Sequence, residues 1–196
     1  GTLTITARPV TVTAGTDVSP YDGTEHSVSY EVSAAGKDKG LLAGHKEKVQ
    51  LDGATRTFVG WNPVEVVSVK IESETEDVTD NYAVTKSPGR IEVTRATDRV
   101  ITVTAKDAGK VYDGTPLTQA GYEYEGTLFS GDRLVVVTKG SITDVNESAE
   151  GNNEIASVEV KHGDEIVTDN YDIRTAAGSL TISPRPVTVT AETKNF

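Results

Sequence analysis

Cysteine and methionine are absent from this 196-residue chain, and it carries one tryptophan, three phenylalanines and three histidines. The lack of cysteine excludes a disulfide framework, thiol catalysis and cysteine-ligated zinc together, so a packed core must hold the fold. No run approaches the roughly 18 apolar residues of a membrane-crossing helix, and no charged-then-apolar leader opens the sequence. Membrane insertion of this segment is therefore not expected. Positive charge is also scarce: 19 basic residues face 30 acidic ones, for a formal charge of -11. The short basic stretches Lys37-Asp38-Lys39 and Lys46-Glu47-Lys48 are broken by acids, and phosphate backbones would be repelled, which excludes nucleic acid as a partner.

Catalytic patterns are missing too. No His-Glu-x-x-His, Gly-x-Ser-x-Gly elbow, phosphate loop or dinucleotide fingerprint occurs. No catalytic residue, cofactor or metal ligand is expected, and the chain is not read as an enzyme. The histidines His26, His45 and His162 stand in unrelated contexts and read as surface residues.

What the chain has in excess is branched side chains: 27 Thr, 26 Val and 9 Ile against 8 Leu. A branched Cβ costs little on a pleated surface and more in a helix, so the chain reads as mostly strand. Apolar residues alternate with polar ones at Val10 and Val12, Val69 and Ile71, Ile101 and Val103, Val158 and Val160, and Leu180 and Ile182. A period of two with one wet face predicts antiparallel sheet. Only Gly40 to His45 and Gly126 to Asp132 look able to form short helical turns.

The sequence also repeats itself. Arg8-Pro9-Val10-Thr11-Val12-Thr13-Ala14 returns as Arg99 to Ala105 and again as Arg185 to Ala191. Tyr21-Asp22-Gly23-Thr24 returns as Tyr112-Asp113-Gly114-Thr115, and Val78-Thr79-Asp80-Asn81-Tyr82 as Val167-Thr168-Asp169-Asn170-Tyr171. A fourth series runs Gly1 to Ile5, Gly89 to Val93 and Gly178 to Ile182. This order predicts the last strand of a preceding repeat (1–7), two repeat domains (8–94 and 95–184) and the first strand of a following one (185–196). The spacing between repeats drifts, which places shape differences at Ala34 to Gly40 and Thr57 to Pro63. Junctions of a few residues, with Pro9, Pro184 and Pro186 beside them, predict a semi-rigid string rather than a flexible linker.

About seven short strands per repeat suit two tandem antiparallel β domains. An immunoglobulin-like sandwich is favoured, with Tyr82 and Tyr171 as tyrosine-corner candidates; a β-grasp-like domain is the alternative. The four motifs in fixed order resemble the MBG and YDG-type repeats of large bacterial surface proteins. That resemblance implies an extracellular, cell-surface or cell-wall protein whose repeats act as stalk or adhesive modules, with neighbouring repeats and a host or matrix glycan or protein as partners. It carries over no catalytic or ligand-binding residue.

Each conspicuous motif has a plain structural reading. Tyr21-Asp22-Gly23 and Tyr112-Asp113-Gly114 read as turns, with Asp bonding nearby amides and Gly supplying a positive φ. The acids Glu74, Glu76, Asp77 and Asp80, and Asp164, Glu165 and Asp169, read as solvated loops, and calcium is not expected to be needed for folding. Lys106 and Lys110 could donate to a Lys–Asn cross-link, but repeat one has no lysine between Arg8 and Tyr21, so none is expected. Trp61 is the one candidate for stacking on a sugar, although a lone tryptophan more often packs as a lid on the core.

Overall fold

The computed structural model describes residues 1–192. The protein is all-β and divides into two compact units between Ala96 and Thr97. Unit 1 contains strands β1 (Arg8–Ala14), β2 (Thr16–Pro20), β3 (His26–Ser27), β4 (Tyr30–Val32), β5 (Lys46–Asp52), β6 (Thr55–Arg56), β7 (Gly60–Glu72), β8 (Tyr82–Ser87) and β9 (Gly89–Thr94).

Alternation in β1 buries Val10, Val12 and Ala14 and turns the threonines outward. Those side chains pack on Val64, Val66 and Ile71 of β7, Tyr82 of β8 and Ile91 of β9. Each fully buried Val or Ile contributes about 1.5–3 kcal/mol relative to exposure. One sheet has the order β4-β1-β8, a second β2-β9-β7-β5, and β3 and β6 form a separate two-stranded pair.

The expectation of purely antiparallel sheet is corrected here. β1 runs parallel to β8, and β2 parallel to β9, while the hairpin-like contacts β1/β4, β9/β7 and β7/β5 are antiparallel. Alternation reports one buried face and is blind to the direction of the neighbour. Parallel pairing needs a long connection, and the whole body of the unit between β2 and β8 supplies it.

The entering and leaving strands change sheet side by side. Gly15 separates β1 from β2, and Pro88 separates β8 from β9, which begins at Gly89. The Gly15 amide donates to Ser29 O at 2.7 Å. A Cβ on Gly89 would run into the carbonyl oxygens of Ala14 and Gly15, so this landmark glycine is required by close backbone approach.

Unit 2 follows the same plan with β10 (Val100–Ala105), β11 (Ala108–Val111), β12 (Leu117–Thr118), β13 (Tyr122–Glu125), β14 (Asp132–Thr138), β15 (Ser141–Ile142), β16 (Ala149–Asn153), β17 (Ile155–His162), β18 (Glu165–Ile166), β19 (Asp172–Ala176) and β20 (Gly178–Ser183). β10 pairs in parallel with β19, and β11 with β20. Ile101, Val103, Val160, Tyr171, Leu180 and Ile182 are buried, and Gly178 meets the Ala105 and Lys106 carbonyls as Gly89 meets its own pair.

Helical turns do form, but not where they were expected. The three described are 3-10 turns at Thr79–Asn81, Val145–Glu147 and Thr168–Asn170. Gly40 to His45 and Gly126 to Asp132 each hold a single turn bond instead, from His45 N to Leu42 O and from Asp132 N to Phe129 O, both 3.1 Å. Residues 1–7 and 184–192 form no strand, because none of the described residues offers them a ladder partner. Leu3 and Ile5 are each 93% exposed there, whereas their counterparts Leu180 and Ile182 are 0% and 1% exposed. Residues 193–196 of the expected last strand lie outside the described residues.

Candidate functional site

The two Tyr-Asp-Gly-Thr segments close in the same way. Asp22 Oδ1 accepts the Thr24 amide at 2.9 Å and its hydroxyl at 2.7 Å; Asp113 Oδ1 accepts the same groups of Thr115 at 2.9 and 2.8 Å. Gly23 and Gly114 stand at φ +83° and +79°, a region that side chains disfavour. Lys110 Nζ lies 2.7 Å from Asp113, and with the Thr115 donors it holds that carboxyl far below the usual carboxylate range. The Thr24 hydroxyl and amide, joined by His26, lower Asp22 in the same sense.

The tyrosines of these segments tie the turn to the strand that leaves the unit. Tyr21 N donates to Thr94 O at 2.8 Å, and Tyr112 N to Ser183 O at 2.9 Å. Their rings fare differently: Tyr21 is buried against Phe58 with ring centroids 6.3 Å apart, while Tyr112 is 38% exposed. Phe58 belongs to the Thr57 to Pro63 segment, where the repeats diverge in sequence.

Tyr82 and Tyr171 begin or immediately precede the strands that run parallel to β1 and β10. The hydroxyl of an immunoglobulin tyrosine corner bonds backbone a few residues upstream. Here it reaches some forty residues back, accepting the Leu42 amide at 3.2 Å in unit 1 and the Phe129 amide at 2.9 Å in unit 2. In unit 1 the same hydroxyl meets His45 Nδ1 at 2.7 Å. In unit 2 that position belongs to Asp132, whose carboxylate accepts the Tyr171 hydroxyl at 2.6 Å and lies 2.7 Å from His162 Nδ1. The Asp132 side chain is fully buried.

This Asp132-His162-Tyr171 cluster was missed in the sequence. The signal the sequence holds is Leu42-Ala43-Gly44-His45 against Phe129-Ser130-Gly131-Asp132, which sets Asp132 in the place of His45; the turn bonds from His45 N to Leu42 O and from Asp132 N to Phe129 O match accordingly. The histidines are corrected accordingly. The His26 side chain is 17% exposed and faces Asp22, and His45 is part-buried on Tyr82; only His162, at 40%, opens substantially to solvent.

Trp61 stands out on β7, 57% exposed, with the Arg90 guanidinium 4.9 Å from its ring. It does not lid the core as a lone tryptophan usually does; Val64 and Val66, further along β7, fill that place. The acidic loop of unit 1 is engaged with its own donors. Asp77 accepts the Thr79 amide and hydroxyl at 2.9 and 2.6 Å, and Glu72 pairs with Lys48 and Lys70, each at 2.7 Å. Among the described residues no three His, Asp or Glu side chains gather as a metal site. Lys106 pairs with Glu123 at 3.1 Å beside an open polar groove of about 650 Å³ that Asp107, Glu150 and Ser179 also line. Asp107 spends one oxygen on the Ser179 amide at 2.6 Å.

No protein-family model, no curated protein and no solved structure matches the chain.

Proposed function

We propose that the chain is a structural segment of a bacterial cell-surface protein, a stalk or adhesive shaft made of tandem β units in an immunoglobulin-like arrangement. The observation that carries this reading is repetition at the level of individual bonds. Leu42 to Tyr82 recurs as Phe129 to Tyr171, Thr24 to Asp22 as Thr115 to Asp113, and Tyr21 to Thr94 as Tyr112 to Ser183. Side chains that carry chemistry elsewhere are spent here on holding turns and strand ends. The resemblance of the four ordered motifs to MBG and YDG-type repeats supports an extracellular, wall-associated setting with neighbouring repeats as partners.

A second reading rests on Trp61. An exposed indole beside Arg90 in unit 1, with no tryptophan anywhere in unit 2, suits a contact with a host or matrix glycan or protein. A glycan array probed with the whole chain and with Trp61→Ala separates the two. The stalk reading expects no saturable binding by either protein, and binding that disappears with Trp61→Ala would favour the second reading.

A further inference from the structure

We infer that each unit is a tension clamp, in which the strands that bring the chain in and take it out resist stretching in shear. The inference rests on the stalk reading, yet it can fail by itself: weak units could still be displayed on a cell surface.

The argument begins with strand direction. The chain enters unit 1 at Arg8, which is in register with Tyr82, and leaves at Thr94, which is in register with Pro20. β1 pairs with β8 over six residues and β2 with β9 over five, all in parallel. Tension between residues 8 and 94 therefore slides the β1–β2 pair lengthwise against β8–β9. Ladder bonds lie across that direction, so the rungs strain together and must fail together. A strand peeled from its end loses one rung at a time.

Both ends of the clamp are secured. Arg8 spreads its guanidinium over the carbonyls of Gly36, Lys37, Lys39 and Gly40 at 2.5 to 3.2 Å, charge-assisted bonds at the point where tension enters. At the exit, Tyr21 N holds Thr94 O at 2.8 Å and the Thr94 hydroxyl reaches Ser19 O at 3.4 Å. The Tyr-Asp-Gly-Thr motif follows directly on β2, so its turn sets where the clamp strand stops.

Unit 2 has the same design with less in it. Its parallel ladders hold five and four pairs. The loop that Arg8 grips is shortened there, and Arg99 lies over the Phe129 ring at 4.3 Å. Unit 2 is the weaker clamp and yields first under tension.

Single-molecule stretching of the whole chain through its ends tests this. Two unfolding events are expected, each releasing roughly 300 Å of chain at about 3.4 Å per residue. Because the chain has no cysteine, Thr13→Cys with Ser87→Cys places a single disulfide across β1 and β8. That cross-link should remove the later, stronger event and leave the earlier one. Handles on the exposed positions of Ala7→Cys and Asp80→Cys pull β1 away from β8 at one end, and the force for unit 1 should then fall severalfold. Equal forces in the two directions would overturn the clamp, and loss of the earlier event on cross-linking would overturn the ranking of the units.

Discussion

The Arg90 amide donates to the Gly15 carbonyl at 3.2 Å, joining the point where the leaving strand changes sheet to the point where the entering strand does. Gly89 sits between them with no room for a side chain. Gly89→Ala should therefore cost about 3 kcal/mol or more, since the obstacle is backbone that cannot rotate away. Gly114 differs: a Cβ there would meet no neighbouring atom within 4 Å, so its positive φ alone resists substitution. Gly114→Ala should cost about 1 kcal/mol. Thermal denaturation of both variants checks the order, and a larger loss for Gly114→Ala would contradict this account of the two glycines.

Tyr171 and Tyr82 hold equivalent places but unequal partners. Removing the Tyr82 hydroxyl takes away bonds to an amide and an imidazole, and Tyr82→Phe should cost about 1 kcal/mol. Tyr171→Phe removes a donor from the buried Asp132 carboxylate, where a bond to charge is worth about 1.5–3 kcal/mol. Chemical denaturation should place Tyr171→Phe below Tyr82→Phe. Equal losses would mean that the buried carboxylate does not depend on the hydroxyl.

The two tyrosines also mark how far the sequence could be read. Val10, Val12, Ile101 and Val103 announced buried strand faces because burial imposes a period of two, and the recurring glycines announced fixed points in each repeat. The direction of β1 against β8 left no trace, since parallel and antiparallel neighbours ask the same alternation of a half-buried strand. Asp132 went unnoticed because its partners Tyr171 and His162 lie thirty-nine and thirty residues away, a proximity that only folding creates. The loop from Ala34 to Gly40 was visible as a difference between repeats, but its use as a grip for Arg8 was not.

Acid should weaken the protein through its turn carboxylates. Lys110 and Thr115 lower Asp113, Thr24 lowers Asp22, Thr79 lowers Asp77, and the Asp144 and Thr143 amides lower Glu147. A carboxyl lowered in the folded state binds fewer protons there than in the unfolded chain. Its stabilisation is complete above the unfolded carboxylate pKa, around 4, and is lost as pH falls through the lower folded values. The melting temperature should drop between about pH 5 and pH 2, and less steeply in Asp113→Asn. These groups are exposed, so added salt should shrink the effect. A melting temperature that stays flat over this range would show that the turn bonds contribute nothing to stability.

The central claim is that these units are displayed outside the cell as part of a surface protein. Antibodies raised against the chain, applied to intact and to permeabilised bacteria that make the parent protein, test it most directly. Equal labelling of intact and permeabilised cells, abolished by brief surface proteolysis, is the expected result. Labelling that appears only after permeabilisation would contradict it.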